Sequence, residues 1–179
     1  AAPEYAGGKV VSGVGGGVCQ VSTTLYNAVI NAELEVVERS PHSMVVHYVN
    51  VSRDAAISGN YKDLKFKNNT KSLIYIAASA KGGVLSFKIF GEDTREKDRK
   101  IAFESEIVEE KQPEGEVITV DTTKPSGYRE VTQSAHTGYN AKLWKIIYIN
   151  GVKKKRVLVN TSSYNAEPPH VTVGKQQEV

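Results

Sequence analysis

The 179-residue chain carries a single cysteine, Cys19, and crowds six of its 15 glycines, at 7, 8, 13, 15, 16 and 17, into the stretch before it. One thiol excludes an internal disulfide framework and a multi-cysteine zinc module, which leaves nucleophilic attack as the chemistry this residue type can offer. A thiol attacks as its thiolate, and an unperturbed cysteine is mostly protonated at neutral pH. Cys19 stands at the start of a helix-period pattern, so the unpaired N–H groups of a first helical turn favour its anion. The same N–H groups, with those of Gly16 and Gly17, suit the oxyanion formed when a thiolate attacks a carbonyl. Glycines also let a peptide substrate approach the backbone closely. Two plainer readings compete: a lone cysteine is commonly a small buried hydrophobe, and a glycine-rich turn before a helix can hold phosphate. No Lys-Ser/Thr pair follows these glycines, which weakens the phosphate reading.

A cysteine nucleophile needs an imidazole as base and acid. The histidines are 42, 47, 136 and 170. His42, in the loop RSPHS, is favoured over His47, which lies in the apolar run MVVHYV. Their odd separation would put them on opposite faces of a strand. Asp54 is the candidate to orient the ring, and Arg53 beside it the candidate to fork onto a substrate carboxylate. The bland alternative for Arg53 and Asp54 is a surface ion pair of little worth. A zinc site of Cys19, His42 and His47 lacks a fourth ligand at recognisable spacing. No metal or cofactor is expected.

These residues require a helix and loops to position them. Val18, Val21, Leu25, Ala28, Val29 and Ala32 recur at three- and four-residue spacing, with Gln20, Ser22, Thr23, Asn27 and Asn31 between them, predicting an amphipathic helix from Val18 or Cys19 to Ala32. β-rich runs follow at 35–39, 44–49, 63–67, 73–80 and 84–90, the last two joined through Lys81-Gly82-Gly83. The expected fold is α+β, one helix packed on a mostly antiparallel sheet. Runs at 117–120, 143–149 and 153–159, with Asn150-Gly151 between the last two, predict an elongated all-β module. The domain reading is 1–92 for the part expected to be catalytic, a charged boundary at 93–100, and 101–179 for the β module.

Net charge is +3, too small and too scattered for nucleic acid. Residues 91–116 hold 10 Asp/Glu against 5 Lys/Arg, between two basic ends. The run KKKR at 153–156 reads as a solvated edge. No run of about 18 apolar residues exists to span a membrane. The abrupt start at AAPEYAGG is read as that of a piece of a longer chain, in which membrane attachment would come from a segment outside these residues.

The string GVGGGVCQVSTTLYNAVINAELEVVERSPHS, followed by SRDAAI and DLKFKNNT, resembles the VanW domain family over residues 1–90. Glu33 stands where that family commonly has glycine, and Ser40 where it often has a second histidine. Segments SGYREV, TGYNAKLWKIIYINGVKKKRVLV and PPHVTVG resemble a G5 domain. The first resemblance implies a Gram-positive cell-envelope protein, membrane-anchored at full length, of a family named for a glycopeptide (vancomycin) resistance cluster. It also implies a cysteine L,D-transpeptidase that makes 3-3 cross-links in peptidoglycan. Cys19, His42 and Asp54 would then be catalytic, with Gly16, Gly17, Gln20, Ser22 and Arg53 near the stem peptide. The second implies binding of N-acetylglucosamine-containing glycan. The alternative function is a non-catalytic peptidoglycan- or glycan-binding surface protein linked to glycopeptide resistance.

Overall fold

The computed structural model describes residues 2–6, 9–13 and 16–175; Gly7, Gly8 and Gly15 of the glycine-rich stretch lie outside them. One helix, α1 (Val18–Asn31), is present among the described residues. Gly17 caps its start at φ 96°, a left-handed conformation open to glycine at little cost. Its carbonyl accepts the N–H groups of Gln20 and Val21, both at 3.1 Å. At the other end Glu33 N–H bonds Ile30 O and Leu34 N–H bonds Val29 O, both at 3.1 Å. This is a Schellman ending, and it places Glu33 at φ 58°, where glycine is usual.

Twelve strands are present among the described residues, in mostly antiparallel sheets. Three two-stranded ribbons come first: β1 (Ala2–Ala6) with β2 (Lys9–Gly13), β3 (Glu35–Glu38) with β4 (Lys65–Lys67), and β5 (Tyr75–Lys81) with β6 (Val84–Phe90). Strands β7 (Arg99–Lys111), β10 (Gly138–Ile149) and β11 (Val152–Tyr164) form a long antiparallel sheet in the order β11-β10-β7. A smaller sheet joins β8 (Val117–Val120), β12 (His170–Val173) and β9 (Arg129–Gln133), with β8 parallel to β12. Both expected hairpins close through two-residue turns with positive φ at each position, Gly82-Gly83 and Asn150-Gly151. That geometry matches the right-handed twist of the flanking strands.

One expectation is corrected and one is made more specific. The run 44–49 is not a strand. It keeps an alternation, with Met44 and Val46 buried, but bends past its neighbours without a ladder partner. The helix packs on strands of two ribbons of its own half, β6 and β3, rather than on one continuous sheet. A two-stranded ribbon cannot cover a helix face alone, and the core also joins Tyr26, Ile30 and Ala55 to Leu143 of β10, with Val36, Leu64, Phe103 and Val159 packed against them. One core therefore runs across the charged stretch 93–100.

Candidate active site

The buried face of α1 is polar in its first half: Ser22 and Thr23 are buried, whereas Val18 and Val21 are exposed. The partner of this face is the extended segment 53–57. Cys19 Sγ lies 3.5 Å from both the N–H and the carbonyl of Ile57. Ser22 Oγ donates to Ala55 O at 2.6 Å, and Ala55 N–H donates to Thr23 Oγ1 at 2.9 Å. Asn27 Nδ2 donates to Arg53 O at 2.8 Å. Eight helical residues rise about 12 Å, close to the span of four extended residues. Helix positions 19, 22/23 and 27 thus meet residues 57, 55 and 53 in turn. Side chains of the helix take the place of a neighbouring strand, as buried backbone groups require.

This stapling places Asp54 between the helix and the loop holding His42. Asp54 is 1% exposed, and its Oδ2 receives both the backbone N–H and ring Nδ1 of His42, each at 2.7 Å. Its Oδ1 receives Arg39 Nη2 at 2.7 Å and the Tyr164 hydroxyl at 2.6 Å. Arg39 Nε also donates to Asp54 O at 2.6 Å. With Nδ1 committed to Asp54, Nε2 is the nitrogen left to face the sulfur; the Tyr48 hydroxyl lies 3.4 Å from it. His42 is buried and Cys19 half-buried.

The electrostatics follow from these contacts. The hydrogen bond from His42 is the largest influence on Cys19 and lowers its pKa below the ordinary thiol value, against the opposing effect of burial. The Ile57 N–H and the nearby Lys62 charge act in the same direction. For His42, burial favours the neutral ring, but Asp54 and Cys19 outweigh it and its pKa is pushed up to about 9. Asp54 resists its own burial through His42, Arg39 and Tyr164, and its carboxyl is held at about 2. The arrangement can hold a thiolate against an imidazolium, with a carboxylate fixed behind it, as nucleophilic acyl transfer demands.

Gly16 and Gly17 form the turn into the helix, and Gln20 is exposed beside Cys19. Two residues expected near a substrate have side-chain hydrogen bonds within the protein. Ser22 spends its hydroxyl on Ala55 O and Cys19 O. Arg53 donates from Nε to Asn27 Oδ1 at 2.8 Å and lies over the Phe103 ring, two helical turns from Cys19. The amide and the aromatic face hold the guanidinium in place through one N–H and a cation–π contact. His47 is exposed, and His170 pairs with Glu167 at 3.0 Å. Arg39 and Tyr164 were not singled out from sequence. An arginine three residues before His42 is a local cue for the first; Tyr164, 110 residues from Asp54, has none.

Residues 1–90 match the family model described as VanW like protein, and residues 93–176 match the G5 domain. Over 92 residues the chain is 41% identical to the uncharacterized protein YoaR of Bacillus subtilis (strain 168), which covers 51% of this chain. The chain spans 30% of that relative's length. Among solved structures, the IgA1 protease G5 domain aligns at 20% identity with a TM-score of 0.29, covering 44% of this chain and 94% of its own. The HP0197-G5 crystal structure aligns at 17% identity and 0.23, covering 42% and 95%. VanW and G5 domains are typical of cell-wall-associated proteins. With half of its length matched by the first of these models, the chain belongs to the VanW-like protein family and carries a G5 domain behind the VanW region.

Proposed function

We propose that the chain is a cysteine acyltransferase of the cell wall, an L,D-transpeptidase acting on peptidoglycan stem peptides. The observation that carries this reading is the Cys19–His42–Asp54 array, in which a half-buried thiol faces an imidazole held by a fully buried carboxylate. The Cys19 thiolate adds to the carbonyl of the L,D-bond in a tetrapeptide donor, and the N–H groups around Gly16 and Gly17 receive the oxyanion. Collapse breaks the C–N bond as protonated His42 gives its proton to the departing amine of D-alanine, leaving a thioester. A diaminopimelate side-chain amine of a second stem then attacks the thioester. Neutral His42 takes that amine's proton, and the products are a 3-3 cross-link and the regenerated thiolate–imidazolium pair. The G5 region contributes contact with N-acetylglucosamine-containing glycan, and a segment outside these residues anchors the protein to the membrane.

The test incubates the protein with purified disaccharide tetrapeptide and follows D-alanine release and dimer formation by mass spectrometry. The expected result is both products from the native protein and neither from Cys19→Ala. Equal product from Cys19→Ala would remove the proposed role.

A further inference from the structure

Ser52, two residues before Asp54, is a non-glycine residue at φ 65° and is completely buried. A left-handed conformation there is strained and persists where surroundings over-determine it. The surroundings are one face of β11. Alternate residues of that strand each take a different group of Ser52. Asn160 Nδ2 donates to Ser52 O at 3.1 Å, Ser52 Oγ donates to Ser162 Oγ at 2.9 Å, and Ser52 N–H donates to the Tyr164 oxygen at 2.7 Å. The Tyr164 hydroxyl passes its own proton on to Asp54 Oδ1 at 2.6 Å, and Ser162 Oγ accepts Arg39 Nη1 at 2.7 Å. The end of β11 is itself pinned: Asn165 N–H donates to Ser43 O at 2.7 Å. A Cβ on Gly138 would come within 2.6 Å of the Tyr164 carbonyl oxygen, so only glycine admits this approach.

We propose that Tyr164, from the region matched to the G5 domain, is a positioning residue for the VanW site, acting through Ser52 and Asp54 on His42 so that the reactive centre is built across both regions. The inference rests on Cys19 acting as the nucleophile. Removing the Tyr164 hydroxyl leaves Ser52 N–H without its acceptor and leaves Asp54 Oδ1 held by Arg39 alone. The partner of the His42 ring is then less firmly fixed, and the ring holds the thiolate less well.

The test is the pH profile of iodoacetamide labelling at Cys19 in the full chain, with melting temperature recorded in parallel. It needs no knowledge of the substrate. His42→Ala is measured first: if it leaves the profile unchanged, the reading of the site fails and this inference with it. Given a response there, Tyr164→Phe is expected to move the acid limb to higher pH and to slow labelling at pH 7 about tenfold, the scale of one hydrogen bond to a charged group. A Tyr164→Phe profile that superimposes on the native one, or moves to lower pH, overturns the inference even if the melting temperature falls. If Tyr164→Phe does not fold, Ser162→Ala is read by the same criterion, with a shift in the same direction expected and an unchanged profile overturning it.

Discussion

The Asp54 carboxylate binds His42 twice through one oxygen, Oδ2, which takes the ring Nδ1 and the backbone N–H of the same residue at 2.7 Å each. A single group thereby fixes both where the loop runs and which way the imidazole faces. In Asp54→Asn the side chain keeps its shape, but its amide cannot accept all these donors and leaves the buried Arg39 charge unpaired. Breaking one side of a buried pair costs about 3 kcal/mol. Asp54→Asn is therefore expected to lose about that much stability in urea unfolding, together with labelling at neutral pH.

The pH dependence separates the two roles of His42. Cys19 and His42 titrate as a coupled pair. Labelling needs only the thiolate, whose pKa is lowered from 9.0 chiefly by His42, so its rate rises with pH and then levels. D-alanine release also needs the imidazolium as acid, and His42 loses its proton at about 9. Release is therefore expected to be bell-shaped where labelling is not. Since the folded-state pKa of His42 is raised, its contribution to stability is complete below about 6.5 and is lost as pH rises through about 9. Native and His42→Gln unfolding curves compared between pH 6 and 10 should converge at the alkaline end.

The staple between α1 and segment 53–57 predicts the effect of an isosteric change. Ala55 is fully buried, and its N–H is bonded to Thr23 Oγ1. Thr23→Val preserves volume and orphans that donor, which costs about 1–3 kcal/mol. A drop in urea midpoint with unchanged slope is expected. Thr23→Ser, which keeps the oxygen, should recover most of the loss; a Ser variant as unstable as the Val variant would contradict the bond's role.

The helix and the two hairpins were legible in the sequence because each is a local pattern: apolar residues at helical spacing, and Gly82-Gly83 or Asn150-Gly151 between β-rich runs. The face that α1 buries was not. Hydrophobic periodicity assigns Ser22 and Thr23 to solvent, and it cannot register a polar side chain that recovers its desolvation by bonding to buried backbone. The pairing of His42 with Asp54 was within reach because both lie in short polar loops. Tyr164 reaches Asp54 only through the long register of β10 and β11, which no local signal announces. The same non-local packing explains why residues 44–49, apolar enough for a strand, form none: burial alone decides their alternation.

Glu33 joins the helix end to the sheet beyond the charged stretch and pits strain against charge. Its left-handed backbone would suit glycine and costs about 1 kcal/mol in other residues. Its carboxylate in return meets Arg99, Lys145 at 2.8 Å and Arg95 at 3.8 Å. The hydrogen bond from Arg99 is the main reason its pKa is held at about 2. Glu33→Ala keeps the strain and loses the cations, whereas Glu33→Gly loses both, so the alanine variant should be the less stable of the two by about 1 kcal/mol. Because the folded-state pKa is depressed, the ion-pair contribution is complete above about 4.5 and is lost as pH falls towards about 2. The advantage of the native protein over Glu33→Ala should shrink through that window, measured by thermal melts of the two side by side. Salt should shrink it as well, since these groups are only partly buried and remain open to screening. A gap between native and Glu33→Ala that ignores both acid and salt would mean that the ion pairs do not hold the helix end to the sheet.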